Sequence, residues 1–410
     1  MDHQEIIKRP SPQELTALLK ETWPRWEGFH FGIVLIGFYF ILEFGSIQGL
    51  FPVVQSLKIP LIVAIISVCY ACVLILGGRV DFSSQTTKRF ALLCFFIVVY
   101  AAISTKNPVT RSDLIKAFLA YFSYYIIVVS TVRKPSQYIL LIDIWLLSIA
   151  WSSFHAIMQG GKIWGNVWLK DENHISLVAA MAIPFAFMLY RMYESKLKKI
   201  CYVICLFFYV TVNIVAQSRG GFLSMVLVAS LCWLFTSHKM RNLIIILAAA
   251  VLVISFAPQS FFEEIATLKQ GTEEGTASDR IYLWGFCIEM FKDHPIIGVG
   301  PMNYPYYFSS YEKGNRYPLG AKRPPHTTPL QWMAEMGIVG IIILIYFLAT
   351  MYSNWRIVFR KESFKSQIIT VERIDYKSIN HAIGISQAGF WLGAIFLSLM
   401  PYPFYWCMPY

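Results

Sequence analysis

Two arginines in this sequence lie where helices are predicted to begin. Arg219 belongs to the run QSRGG at 217–221, a short connection between apolar segments, and Arg280 follows Ser278 and Asp279. The amino end of a helix attracts anions through its unpaired N–H groups, and the two glycines permit close approach of a backbone or ligand. Each arginine therefore predicts an anion site. The alternatives are a membrane-anchoring role for Arg219 and pairing of Arg280 with Asp279.

A histidine with the features of a general base follows in the same polar part of the chain. His326 directly precedes two threonines, either of which can cap a short helix with proline at its first position. The helix amino end disfavours the imidazolium form, and the charges of Lys322 and Arg323 act in the same direction. A neutral histidine beside cationic anion binders suits removal of a proton from a hydroxyl group. An ordinary surface histidine is the alternative.

Composition places these residues in a membrane protein. Of 410 residues, 56% are apolar and 14% charged, and the mean hydropathy is +0.53. In soluble domains about 45–50% of residues are apolar and about 25% are charged. The net charge of +11 comes with Lys and Arg flanking apolar segments, so we expect no nucleic-acid partner. Among eight cysteines, Cys69 and Cys72 form a lone pair without the further ligands of a zinc site. We therefore expect packing roles for the cysteines rather than a zinc site, and we predict no cofactor.

Eleven apolar segments have about the length that crosses a bilayer as a helix. Backbone groups must be paired in lipid, and no alternating pattern indicates barrel strands, so the predicted fold is an all-α polytopic bundle of about 11 to 12 spans. Without internal repeats, we predict one integral domain over residues 1–410, with a long loop at 258–337. The predicted spans are 29–47, 59–77, 90–105, 114–132, 137–155, 174–190, 199–216, 221–236, 241–257, 338–352 and 381–400.

Positive charges predict which side of the membrane the loop occupies. Lys and Arg concentrate in alternate connections, which places the N-terminus in the cytoplasm and the 258–337 loop outside. In the loop, Ser278 or Asp279 is expected to cap a helix over 280–292 that lies on the membrane surface or on the bundle. Its apolar positions are Ile281, Trp284, Ile288 and Phe291.

Two glycine-containing runs further along the loop predict changes of chain direction. The run GVG at 298–300 follows no predicted strand, so we interpret it as a turn back into the bundle rather than a dinucleotide site. A short helix is expected from Thr327 or Thr328 to about Glu335, and Gly337 is expected to end it before the next span.

The order of these motifs around one loop resembles the bacterial O-antigen ligase/polymerase family. The resemblance covers about residues 170–345 and begins with ENH at 172–174 and IPF at 183–185. The other matching runs are QSRGGF at 217–222, SDR at 278–280 with Trp284, HPIIGVG at 294–300, HTTPLQ at 326–331 and AEMGIVG at 334–340.

The resemblance implies a metal-independent C-type glycosyltransferase of the bacterial inner membrane. Such an enzyme transfers a glycan from an undecaprenyl-diphosphate carrier to an acceptor hydroxyl on the extracytoplasmic face, with inversion at the sugar carbon. By motif, Arg219 and Arg280 hold the diphosphate and His326 is the base. Supporting roles are expected for Arg323, Lys322 and Asn173. The acceptor stays open among lipid A core (a ligase, favoured by the position of the histidine), a growing glycan (a polymerase) and a protein (an O-oligosaccharyltransferase).

The sequence departs from the family pattern in two places. Thr327 follows the histidine where asparagine or serine is common, a change that bears on acceptor contacts. The sequence ends at Tyr410, where relatives continue through another helix. Aromatic residues at 402–406 are either an interfacial belt or the start of a further span, and we favour the second.

Two functions of other kinds stay open. A transporter of lipid-linked glycans would use ionisable residues within spans, such as Glu43 and Asp143, and paired broken helices, of which Pro184 marks only one interruption. A peptidoglycan-type polymerase would use a carboxylate of the long loop. The available carboxylates are Glu263, Glu264, Glu273, Glu274 and Asp279.

Overall fold

The computed structural model of this protein describes residues 31–163, 169, 171–236, 239–240, 243–244, 275–314, 316–318, 320–359 and 376–399. Every regular element within these ranges is an α-helix, which confirms the predicted all-α class. In chain order they are α1 (Phe31–Phe44), α2 (Ile47–Leu50), α3 (Pro52–Ser56), α4 (Ile59–Leu76), α5 (Gln85–Ser104), α6 (Pro108–Thr131), α7 (Pro135–Met158), α8 (Glu172–Met192), α9 (Lys196–Val215), α10 (Arg219–Leu234), α11 (Gly275–Asp293), α12 (Tyr304–Tyr311), α13 (Thr328–Phe359) and α14 (Tyr376–Ala394).

Seven helices in these ranges are long and apolar enough to cross a membrane, namely α4 to α9 and the 328–349 part of α13. Two shorter apolar helices, α1 and α10, coincide with predicted spans, and α14 coincides with the predicted span 381–400. The protein is therefore a polytopic helical bundle, as predicted. The predicted span 241–257 lies almost wholly outside the described residues, and the aromatic residues 402–406 lie wholly outside them.

Helix α8 is the most buried helix of the candidate spans. Helices α7, α9, α10 and α14 all pack against it, and small residues such as Ala180 let them approach closely. A methyl group added to Gly393 in α14, for example, would lie 2.5 Å from a methyl group of Leu177 in α8. Pro184 is buried inside α8 without ending it. The bundle therefore holds the amino end of α8 at a defined position.

Helix α13 bends at Gly337, as the glycine predicted, and continues as helix on both sides of the bend. Gly337 has a φ of 60°, which glycine adopts without a steric penalty. The bend frees backbone groups of α13, and the segment 295–300 pairs with them through four hydrogen bonds of 2.9 to 3.1 Å. In these, the N–H groups of 338 and 339 donate to the carbonyls of 295 and 296, and those of 299 and 300 donate to the carbonyls of 334 and 335. The predicted turn at 298–300 is thus confirmed.

The loop forms a small core of its own against α13. The packed side of α11 consists of Leu283, Phe286, Cys287 and Met290, which contact α12 and Ala334 of α13. Two of the predicted apolar positions, Ile281 and Ile288, are instead 48% and 43% exposed. Helix α11 is apolar on more than one side, so periodicity did not identify the side that packs.

The predicted start of α11, with Ser278 or Asp279 as its cap, is wrong. Helix α11 begins at Gly275, so Ser278 and Asp279 lie within its first turns rather than before it. Arg280 is consequently one turn further from the helix end than expected, where the helix dipole acts more weakly on its charge.

A buried carboxylate joins the loop to the bundle. Glu335 in α13 is fully buried and accepts hydrogen bonds from the backbone N–H groups of Met302, at 2.9 Å, and Tyr304, at 3.0 Å. The Gln331 amide donates a third, at 3.1 Å. A fully buried carboxyl group needs hydrogen-bond partners of this kind, because it has no access to water. They hold the start of α12 against α13, on the side of the bundle where His326 lies.

Candidate active site

Three helices begin, and one ends, at one face of the bundle. The Ser218 hydroxyl, directly before α10, donates a 2.8 Å hydrogen bond to the Asn173 side chain in the first turn of α8. At the start of α13, the Thr328 hydroxyl donates to the carbonyl of Leu397, at 2.6 Å, and accepts from the N–H of Leu399, at 2.9 Å, just after α14. The amino ends of α8, α10 and α13 therefore meet the carboxyl end of α14.

Arg219 is the first residue of α10, as predicted, and is partly buried. The helix is capped by Ser218, whose hydroxyl accepts a 3.1 Å hydrogen bond from the N–H of Gly221. A methyl group added to Gly221 would lie 2.5 Å from the Ser176 Cβ in α8. This glycine therefore allows α8 and α10 to pack closely, with Ser218, the neighbour of Arg219, bonded to Asn173.

We expect Gly221→Ala to destabilise the protein by about 1–3 kcal/mol, because the added methyl group overpacks the contact between α8 and α10. Gly220→Ala is the matched control, since a methyl group there would lie 3.5 Å from the Phe396 Cβ, an ordinary van der Waals distance. Thermal unfolding of both purified variants in detergent measures the difference. Equal unfolding midpoints for the two variants would show that the packing of α8 on α10 does not depend on Gly221.

Arg280 is partly buried in the second turn of α11. Its guanidinium carbon lies 5.9 Å from the centre of the Phe396 ring. Asp279, considered above as a partner for Arg280, forms an ion pair with Arg316. Trp284, one turn after Arg280, donates a 3.1 Å hydrogen bond to the carbonyl of Pro325. Helix α11 is therefore tied directly to the residue that precedes His326.

His326 lies immediately before Thr327, the cap position of α13, whose carbonyl accepts a 3.1 Å hydrogen bond from the N–H of Gln331. The φ of His326 is 51°, in the left-handed region, which is uncommon for residues other than glycine and is found at functional sites. The side chain is partly buried. The surrounding contacts, including the hydrogen bond of Trp284 to Pro325, hold this segment in place.

The environment of His326 favours the neutral imidazole, as predicted. Burial is the main cause that lowers its pKa below the ordinary value of 6.5, followed by the positive charge of Arg280. Arg323 acts in the same direction, and the carboxylate of Asp171 acts in the opposite direction. Electrostatic effects weaken with distance, so Arg280, Arg323 and Asp171 lie in the neighbourhood of the histidine.

The two cations predicted to support the histidine are exposed on the surface of the loop. The Lys322 ammonium lies 4.4 Å from the centre of the Tyr306 ring, and the Arg323 guanidinium carbon lies 5.1 Å from that of Tyr317. Arg323 nonetheless acts on His326 through its charge. Lys322 is not among the groups that shift the pKa of His326, so its predicted effect on the histidine is not observed.

Asp171 is a residue of this site that the sequence analysis did not identify. Its carboxylate caps α8, accepting hydrogen bonds from the backbone and side-chain N–H groups of Asn173 at 2.8 and 2.9 Å. Burial opposes its ionisation, but the charge of His174 and the hydrogen bonds from Asn173 hold the pKa of Asp171 below its ordinary value. Aspartate before a helical apolar run is a recognised cap signal, so the residue could have been found from the sequence.

The charged and titratable groups at this face suit the binding of a phosphate group next to a proton acceptor. They are the guanidinium groups of Arg219 and Arg280, the imidazole of His326 and the carboxylate of Asp171. Two guanidinium groups can bind phosphate oxygens through paired N–H donors, while a neutral imidazole next to them can accept a proton. Within the described residues, no group of three or more His, Cys, Asp or Glu side chains could hold a metal ion.

Comparison with known protein families covers the central part of this site. Residues 203–345 match the sequence model of the O-antigen ligase family. The matched segment contains Arg219, Arg280 and His326, whereas Asp171 and Phe396 lie outside it. No curated protein is significantly similar to the chain. The match shows that residues 203–345 of this helical membrane protein are similar to the O-antigen ligase family.

Proposed function

We propose that this protein transfers a glycan from an undecaprenyl-diphosphate carrier to an acceptor hydroxyl at the extracytoplasmic face of the bacterial inner membrane. Arg219 and Arg280 bind the diphosphate, and His326 accepts the proton of the acceptor. The observation that carries this proposal is the meeting of the amino ends of α8, α10 and α13 at one face, where α11 is joined by a hydrogen bond to the residue before His326. The lowered pKa of His326 supports it. The family match supports the same type of reaction.

A departing diphosphate needs positive groups where its negative charge grows. Arg219 stands at the amino end of α10, where backbone N–H groups without helical partners also attract anions. Arg280 comes from α11, and its guanidinium carbon lies 5.9 Å from the centre of the Phe396 ring. In a partly dry site, each contact of this kind contributes about 3 kcal/mol of transition-state stabilisation. In this proposal, the two arginines supply the charge stabilisation without a metal ion.

The proposed step transfers one proton and one glycosyl group. The acceptor oxygen forms a bond to the anomeric carbon as the bond from that carbon to the diphosphate oxygen breaks, and the electron pair leaves on the diphosphate. The acceptor proton moves to the neutral imidazole of His326. The imidazolium that forms lies near the Asp171 carboxylate, whose attraction offsets the repulsion from Arg280 and Arg323. Asp171 thereby stabilises the protonated state of the base.

We expect transfer to rise with pH as His326 loses its proton, with the rise centred below the ordinary histidine value of 6.5. Asp171→Asn removes a negative charge, lowers the pKa further and should move this rise to lower pH. Arg323→Gln removes a positive charge and should move it to higher pH. The pH profile of kcat/KM measures these shifts, with Lys322→Gln as the control that should not move it. Identical profiles for all variants would show that His326 is not the titrating base.

The function is tested with purified protein in lipid nanodiscs and an undecaprenyl-diphosphate-linked repeat unit. Lipid A core, a glycan and a serine-containing peptide are supplied separately as acceptors. We expect transfer to one of them, unchanged by EDTA. Absence of transfer to all three would contradict the proposal. In cells that lack the gene, accumulation of unattached polymer would identify a ligase, and accumulation of single repeats would identify a polymerase.

The alternative functions find less support among the described residues. Asp143 of α7 is partly buried and accepts a 2.7 Å hydrogen bond from Tyr202. Helix α8 continues through Pro184, whereas a transporter would use broken helices. Asp279, a carboxylate for the peptidoglycan-type alternative, is paired with Arg316. The other carboxylates considered lie outside the described residues: Glu263, Glu264, Glu273 and Glu274.

A further inference from the structure

The segment that follows α14 lies between two of the helices that form the site. Thr328, the first residue of α13, holds this segment by accepting from the N–H of Leu399 and donating to the carbonyl of Leu397. The Thr328 hydroxyl is buried and serves both bonds. Residues 395–399 lie outside the segment that matches the O-antigen ligase family, so the match assigns no role to them.

Phe396, in this segment, lies next to Arg280 and next to Gly220, the neighbour of Arg219. Its Cβ would lie 3.5 Å from a methyl group placed on Gly220, the neighbour of Arg219. Its ring centre lies 5.9 Å from the guanidinium carbon of Arg280. The ring is partly buried, and the Thr328 hydrogen bonds hold the backbone on the C-terminal side of Phe396. One aromatic side chain therefore lies beside the guanidinium group of Arg280 and beside the backbone that carries Arg219.

An aromatic ring at this position has a specific effect on a guanidinium group. The negative face of the ring attracts the cation at distances up to about 6 Å, and the attraction strengthens where water is excluded. Arginine side chains are long and adopt many rotamers, so a fixed ring reduces the loss of freedom when the guanidinium binds a ligand. A phosphate ligand would then meet Arg280 already oriented.

We propose that Phe396 is a positioning residue for the donor, which orients Arg280 towards the diphosphate from a backbone segment that Thr328 holds against α13. This inference rests on the proposed function, because it assigns Arg280 to the diphosphate. It adds to the donor site a segment of chain, just after α14, that lies far from both arginines in the sequence.

The test measures binding of undecaprenyl diphosphate, without a sugar, to purified protein in detergent. Phe396→Leu keeps an apolar side chain against Gly220 but removes the ring, and we expect it to weaken binding about threefold to tenfold. Phe396→Tyr keeps the ring and should bind within about twofold of the unsubstituted protein. Trp391→Leu, which removes a partly buried ring five residues earlier in α14, is the control and should leave binding unchanged.

A second measurement separates positioning from a general effect on folding. Phe396→Leu is combined with Arg280→Gln, and its effect on binding should disappear in that background, because the ring then has no guanidinium to orient. Thermal unfolding of each variant shows whether it is folded. Unchanged binding by Phe396→Leu, or an equal loss with and without Arg280, would overturn the inference while leaving the donor assignment intact. If Arg280→Gln alone leaves binding unchanged, the donor assignment itself fails, and this inference with it.

Discussion

Replacing His326 with alanine should reduce glycan transfer by about 10² to 10⁴-fold, the range that a general base contributes, while donor binding changes little. The physical reason is that the imidazole receives a proton that no neighbouring cation can accept. Its environment is suited to this role, since burial and Arg280 both lower its pKa. Turnover of lipid-linked glycan by the purified protein measures the rate, and binding of undecaprenyl diphosphate measures donor affinity.

The left-handed backbone of His326 requires a second substitution. Alanine is disfavoured at a φ of 51°, whereas asparagine tolerates this region, so His326→Asn separates loss of the imidazole from backbone strain. Both variants should be equally impaired. His294→Asn is the matched control, because His294 is an exposed histidine of the same loop. Full activity of His326→Asn would remove the proposed base from the mechanism.

Arg280→Lys and Arg219→Lys should each weaken donor binding by about tenfold and lower the rate of transfer as well. Lysine keeps the positive charge but replaces the planar fork of donors with a single ammonium, so paired hydrogen bonds to phosphate oxygens are lost. The arginines also face charge that grows as the diphosphate departs. Their loss should therefore reduce kcat in addition to affinity.

Arg316→Lys is the matched control for these two substitutions. Arg316 is a loop arginine that pairs with Asp279, and lysine can keep such an ion pair. We therefore expect its donor affinity and transfer rate to match those of the unsubstituted protein. Donor affinity that is unchanged in both Arg280→Lys and Arg219→Lys would contradict the assignment of the diphosphate to these residues.

Several features of this fold follow from local sequence. The apolar segments predicted helices in a membrane, because lipid leaves a backbone few other ways to pair its polar groups. The short connection at 217–221 predicted the start of α10, and Gly337 predicted the bend in α13. Each of these depends on residues within one or two turns of the feature itself, so the sequence contains the information that decides it.

Other features depended on neighbours distant in the chain. The start of α11 at Gly275 lies a turn before the predicted cap, and its packed side differs from the predicted one because α12 and α13 determine which apolar residues are buried. The ion pair of Asp279 with Arg316 required the loop to fold back on itself. Periodicity within α11 contains no information about these partners.

The candidate active site likewise depends partly on local sequence and partly on neighbours distant in the chain. The sequence alone identified an all-helical membrane protein and the chemical types of Arg219, Arg280 and His326, since capping residues, glycines and charge are local properties. Only the tertiary structure joined them to Asp171, which is 155 positions before His326 in the sequence, and to Phe396 beyond α14. Electrostatic coupling and ring contacts fall off within a few ångströms in space, and separation along the chain does not determine that distance. The packing of α8, α10, α13 and α14 does.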